Sequence, residues 1–338
     1  MLNPFNNHLR QIILLGLIIV LGILLISSLY IFLPGFLGGI TLYILTRKFY
    51  NKLTIQKKWR KDLTAILFIF ACIIIIAIPV YFSVRMISPK ISTLVSKQQE
   101  VMIGLDILSK KIEAFVGQEL FTATNVESFT MKAFTYAPSF LNSSANIIAN
   151  LLMLFFLLYY LLSSGKMIEK YLGNIIPLKP ENIDILANET KRMVTANALG
   201  IPIISIIHGI VATVGYLIFG VKDWGLLGFF TGIVAFFPFV GIMIVWVPLT
   251  IYMYSTGQTF NATGVALYSI LITGNVDYIS RFGLLKKIGN IHPMITVLGV
   301  IVGLELFGFM GLIFGPLLIT YFIVLIKIYL NEFVSKTS

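Results

Sequence analysis

His292-Pro293-Met-Ile-Thr-Val-Leu-Gly299-Val-Ile-Val-Gly303-Leu-Glu305-Leu-Phe-Gly308-Phe-Met-Gly311-Leu-Ile-Phe-Gly315-Pro316 is the stretch whose reading decides the fold. It is apolar enough to enter a bilayer, glycines interrupt it, and one carboxylate sits at the interruption. A helix over 293–307 rises about 22 Å at 1.5 Å per residue, short of the roughly 30 Å of hydrocarbon. The interruption and Glu305 therefore fall inside the membrane, past its midplane. A broken apolar helix carrying one acid is a recurrent way to build an ion or substrate site in a transporter.

The rest of the chain agrees with a membrane reading. Of 338 residues, 58% are hydrophobic and 12% charged, and the mean hydropathy is +0.94. A soluble domain carries about a quarter charged residues, so the chain reads as an all-α polytopic membrane protein. Cys72 is the single cysteine and lies in an apolar run, which excludes a disulfide framework. No basic region followed by a small-residue cleavage site opens the chain, so 11–33 reads as a retained membrane segment. The net charge of +11 fits the positive-inside bias of membrane proteins rather than nucleic-acid binding.

Charges give an expected topology. Apolar runs fall at 11–33, 34–45, 63–84, 145–162, 200–219, 224–237, 240–256, 262–276, 293–307 and 309–328, several too short to span alone. They predict about eight membrane segments, some of them broken or re-entrant hairpins. The loop from Arg47 to Asp62 has seven bases against one acid, a cytoplasmic marker. Residues 85–142 carry six bases and five acids, which fits an external helical region. Arg281, Lys286 and Lys287 mark a second inside loop, and Lys327 and Lys336 an inside tail. Both ends of 293–328 then lie inside, so this run enters, turns back and leaves. The same parity makes 11–45 a hairpin folded at Pro34-Gly35, with both chain termini cytoplasmic. The expected divisions are a membrane unit over 1–84, an extracytoplasmic region over 85–144, a helix and cytoplasmic linker over 145–199, and a transport core over 200–338.

Phe237-Pro238-Phe-Val-Gly241 echoes Phe307-Gly308-Phe-Met-Gly311. Each follows a glycine pair four apart, Gly228/Gly232 and Gly299/Gly303, and each precedes a proline, Pro248 and Pro316. This reads as one device used twice, two half-spanning helices joined by a sharp turn. Proline removes a backbone donor and glycine accepts unusual dihedrals. The hinges are then Pro34, Gly35, Pro238, Gly241, Gly308, Gly311, Gly315 and Pro316. The glycine pairs also suit close helix packing. In the external region, Val84, Ile87, Ile91, Leu94, Gln98, Val101, Leu105, Leu108, Ile112 and Phe115 form a heptad seam. It can pack on the chain's own segment at 120–142 or join copies into a homo-oligomer.

Candidate chemistry is sparse. The sequence has no phosphate loop, no paired histidine or cysteine zinc motif and no nucleophile-elbow serine, so it predicts neither an enzyme nor a cofactor. Glu305 is the foremost candidate, able to hold a proton or sodium, or else to shape the hairpin tip. Asp277 pairs with Arg281 one turn later or joins the site. Asn275 stands at the end of the same segment, and His208 lies within an apolar run with Ser205 one turn earlier. His292-Pro293 reads as a helix start, and Trp224 and Trp246 as interface or packing residues.

The C-terminal half resembles the autoinducer-2 exporter family of bacterial and archaeal membrane proteins. The residues carrying the likeness are Gly220, Trp224-Gly-Leu-Leu-Gly228, Phe237-Pro238-Phe-Val-Gly241, Pro248, Asn275-Val-Asp277, His292-Pro293, Gly308-Phe-Met-Gly311 and Gly315-Pro316. Tyr159-Tyr160-Leu-Leu-Ser-Ser-Gly165 and the Pro34-Gly35 region also fit. The chain departs from the family at Arg281-Phe282, where a proline often follows the base, and at Ser163-Ser164, where a charge often precedes the glycine. The resemblance implies a multi-pass transporter of a bacterial or archaeal plasma membrane with about eight segments, able to form homo-oligomers. Some members are linked to export of the autoinducer-2 signal and others to exchange of sodium or lithium for protons. The combined expectation is a cation-coupled secondary transporter whose partners are the bilayer and Na+/H+ or a small solute. A small-solute exporter without obligatory coupling is the alternative, and a channel or scaffold the second.

Overall fold

The computed structural model describes residues 4–96, 144–237, 240–280, 283 and 293–330. Every regular element among them is helical. In chain order these are α1 (Pro4–Leu29), α2 (Leu33–Asn51), α3 (Lys61–Ser96), α4 (Ser144–Ile175), α5 (Pro180–Ile218), α6 (Trp224–Val234), α7 (Val240–Ser255), α8 (Thr259–Tyr268), α9 (Gly274–Ser280), α10 (Pro293–Phe307) and α11 (Gly311–Tyr329). Short 3-10 turns at Tyr30–Phe32 and Gly308–Met310 link α1 to α2 and α10 to α11. Wider π turns follow α2 at Lys52–Gln56 and α8 at Ser269–Thr273.

Five helical runs among the described residues are long and apolar enough to cross a membrane, with three shorter apolar helices beside them at 224–234, 241–254 and 294–307. Apolar side chains are exposed along most of these helices, as expected where lipid replaces water around a bundle. Helix α3 has 36 residues, about 54 Å at 1.5 Å each, so it projects well beyond the hydrocarbon. The start of the heptad seam, Val84 to Leu94, lies on it. The rest of that seam falls outside the described residues.

The fold is built around α5. Its first half packs on α11 through Met193, Val194, Phe314 and Leu317, with Leu37 of α2 alongside. Its second half packs on α7 and α8 through Ala212, Tyr216, Met253, Ala262 and Val265. A separate layer of α2, α3 and α4 closes around Tyr43, Tyr50, Ala65, Cys72, Leu158 and Leu162. At one end of this layer the Arg47 guanidinium meets Glu169 at 2.6 Å, and the Tyr43 hydroxyl donates to the same carboxylate at 2.9 Å.

The expected fold-back at Pro34-Gly35 is not what the chain does. Leu29 and Leu33 both keep right-handed helical dihedrals, and 9–56 forms one helical run. From Leu9 to Leu29, helix α1 is exposed at every residue but Gly22, and it does not lie along α2. The physical reason is the position of the proline. Pro34 occupies the first turn of α2, where its missing N–H costs nothing and its fixed φ suits the helix. The inward placement of the N-terminus was tied to this fold-back and loses that support.

Candidate functional site

Two hairpins approach each other along α5 from its opposite ends. The first is α6–α7. Helix α6 runs back along α5, with Gly228 against Thr213 and Gly232 against Ser205 and Gly209. The Ser205 hydroxyl donates to the Gly232 carbonyl. These small residues let the two backbones come close. Helix α7 then returns, bringing Met253 back beside Tyr216 and Val221 near the end of α5.

The second hairpin, α10–α11, comes from the other end. Tyr321 hydrogen-bonds Thr190 near the start of α5, and the Asn197 amide donates to the Ile313 carbonyl at 3.4 Å further along. Gly299 and Gly303 on α10 face Gly311, Gly315 and Pro316 on α11, with backbone where any Cβ would have to sit. Gly308 makes the turn with φ +57°, a conformation glycine adopts without steric cost. The two tips meet in one apolar cluster, where Phe236 and Leu304 pack against Ile201, Val300 and Leu312.

A third break, at 30–35, sits against the second tip. The Tyr30 hydroxyl donates to the Leu306 carbonyl at 2.7 Å, supplying a donor to a helix end that has none of its own. Across from it, the side-chain amide of Asn150 on α4 enters the helical ladder. Its Oδ1 accepts from the Gly35 N–H at 2.8 Å, and its Nδ2 donates to the Ile31 carbonyl at 2.9 Å. These are the two groups that would otherwise bond each other, four residues apart. Asn150 thus splices the break. Backbone polar groups at membrane depth must be satisfied by protein or water, and here one side chain satisfies both. Gly35 lets the Asn150 backbone approach.

The sequence candidates distribute unevenly over this frame. Glu305 lies two residues before the end of α10, is exposed, and has no hydrogen bond or ion pair among the described residues. His208 is fully buried on the α5 face that also carries Asn197, Ile201 and Ile204, with Nδ1 2.7 Å from the Ile204 carbonyl oxygen. The π turn at 269–273 and α9 pack on α5. The Tyr268 hydroxyl donates to the Val211 carbonyl at 3.0 Å. The Thr273 hydroxyl, buried in that turn, has no hydrogen-bond partner. Asn275 is exposed and donates to the Leu271 carbonyl at 2.7 Å, binding its own helix. Asp277 stands on α9, and its side chain is outside the described residues, as are Arg281, Pro238 and His292. The helix of Asn275 and Asp277 thus packs on α5, the helix that carries His208, while Glu305 lies on α10.

Among the hinge candidates, Gly308 forms the turn itself, and Gly311, Gly315 and Pro316 lie in the first turns of α11 against α10. Gly241 lies in the first turn of α7 against Val234. Asn150, Tyr30 and Asn197 escaped the sequence reading. An asparagine within an apolar helix was the one available signal for Asn150, and nothing in it names a partner 115 residues away. The described residues contain no group of three or more His, Cys, Asp or Glu side chains able to hold a metal ion.

Helices of this length and apolarity, with their breaks re-satisfied by neighbouring side chains, define a polytopic α-helical membrane protein. Residues 12–331 match the AI-2E family transporter family, and the chain belongs to it. A Helicobacter pylori strain J99 protein, provisionally named a transport protein, is 23% identical over 309 residues, covering 85% of this chain and 87% of its own. A Buchnera aphidicola relative with the same kind of name is 24% identical over 337 residues, covering 94% and 90%. One from Methanothermobacter thermautotrophicus is 27% identical over 177 residues, covering 52% and 53%.

Proposed function

We propose that this membrane transporter is a cation-coupled secondary transporter of a bacterial or archaeal plasma membrane, working by Na+/H+ exchange or by H+-coupled export. One observation carries the reading: hairpins entering from opposite ends of α5 bring their tips together at Ile201, Val300, Leu312, Phe236 and Leu304. An apolar plug between the tips of two opposed helical hairpins is a place where access can alternate from one side to the other. Glu305, one turn from the tip, supplies a carboxylate that water can reach and that takes up the coupling cation. His208, Asn275 and Asp277 border the path beside α5. The basic segment after α2 sits on the cytoplasmic side.

A second reading is export of a small solute, such as autoinducer-2, without obligatory ion coupling. It is favoured by the absence of any polar partner for Glu305 among the described residues. Reconstitution in liposomes separates the two. Under an imposed pH gradient, wild type is expected to move sodium and Glu305→Gln to lose that flux. Unchanged flux in Glu305→Gln removes the carboxylate from the ion path. Solute release without ion movement establishes the second reading, and a gradient-independent conductance marks a channel.

A further inference from the structure

We propose that the segment joining α2 to α3 is a built binding surface for the headgroups of anionic phospholipids in the adjoining leaflet. Lys48, Lys52, Lys57, Lys58, Arg60 and Lys61 are all exposed, and none forms an ion pair among the described residues. The positive-inside bias explains why bases are present. It does not require the backbone that carries them to be closed by its own hydrogen bonds, and here it is.

The segment is short and clamped at both stems. After the π turn, Lys58 adopts φ +55°, a left-handed conformation costly for a side chain of this size. The amides around it are engaged, Lys57 N–H to the Lys52 carbonyl at 3.3 Å and Trp59 N–H to the Leu53 carbonyl at 3.2 Å. The buried Tyr50 donates to the Lys61 carbonyl at 3.3 Å and packs edge-on against Phe68, tying the end of α2 to the start of α3. Asp62, the segment's one acid, accepts from Tyr159 of α4 at 3.2 Å and forms no ion pair with the bases among the described residues.

The apolar side chains say what the bases face. Phe49 is 64% exposed and Trp59 49%, and both sit at the membrane ends of α2 and α3. Tryptophan favours the headgroup level of a bilayer. Lysine and arginine beside it meet the phosphates, well within the roughly 8 Å over which charge acts at physiological ionic strength. Several bases on a hydrogen-bonded backbone around an exposed tryptophan at the interface select an acidic headgroup over a zwitterionic one.

The full-length chain in nanodiscs of equal phosphatidylglycerol and phosphatidylcholine tests this. Lipid retained through purification is quantified by native mass spectrometry. Wild type is expected to enrich phosphatidylglycerol, and Lys57→Gln/Lys58→Gln/Arg60→Gln/Lys61→Gln to lose about tenfold of that enrichment. A charge-matched control, Lys166→Gln/Lys170→Gln/Lys179→Gln/Lys191→Gln, is expected to keep it. Equal losses in both variants, or none in the first, overturn the proposal. Should the first variant not fold, brominated phosphatidylglycerol and brominated phosphatidylcholine are compared as quenchers of Trp59 in Trp224→Phe/Trp246→Phe. Stronger quenching by the anionic lipid supports the site, and equal quenching overturns it.

Discussion

The breaks at Pro34-Gly35 and at Gly308-Phe-Met-Gly311 carry the same kind of residue, yet one chain segment continues and the other reverses. At 30–35 the dihedrals stay helical, and Asn150 bridges the Gly35 N–H and the Ile31 carbonyl. At 308 the backbone enters the left-handed region, and α11 returns along α10. What differs is the surface offered to the returning helix. Gly299 and Gly303 present bare backbone to Gly311 and Gly315. Gly16 and Gly22 on α1 have nothing within 4 Å. A helix breaker therefore decides where a chain can turn, and a small-residue seam decides whether it does.

Loading the seam should break this contrast most severely. Gly303→Leu forces a side chain into the α11 backbone and is expected to destabilise the fold by about 3 kcal/mol or more. Gly16→Leu is expected to stay within about 0.5 kcal/mol. Thermal unfolding of the purified protein in detergent measures both, and similar losses would erase the distinction between a seam and a lipid-facing helix.

Removing the splice comes next. Asn150→Ala leaves the Gly35 N–H and the Ile31 carbonyl unbonded to it and is expected to cost about 2 kcal/mol. Faster amide exchange confined to residues near 31–35 is the accompanying sign, and unaltered exchange there would show that the ladder closes by itself. Tyr30→Phe removes one neutral hydrogen bond, to Leu306, at about 1 kcal/mol, and should loosen the second break without moving the first. Glu305→Gln sharpens the comparison from the other side. An exposed, unpaired carboxylate leaves stability within about 0.5 kcal/mol, so any loss of transport in that variant is a loss of chemistry and not of fold.

Much of this architecture can be read from the chain. The apolar runs, the basic segment after α2 and the glycine spacing of 299, 303, 311 and 315 each rest on local physics, and the helical membrane architecture and the second hairpin follow from them. Pro34-Gly35 misleads because the same dipeptide serves a sharp turn and a helix start. The deciding atom belongs to Asn150, far away in sequence. The candidate site is legible in its residue types but not in its grouping. The helix of Asp277 reaches α5, which carries His208, only through the packing of the π turn and α9. Glu305 is set apart because the glycine seam claims the opposite face of α10.

The two opposed hairpins also have an electrostatic consequence. Each tip joins the carboxyl end of one short helix to the amino end of the next, α6 to α7 and α10 to α11. The partial charges at those ends are about half an elementary charge each and opposite in sign. Set side by side, they offset one another where the low dielectric would make either alone expensive. The centre of the protein is therefore close to neutral as far as its backbone is concerned. The field at the tips is therefore left to the side chains, and a single added or removed charge there acts against an almost blank background.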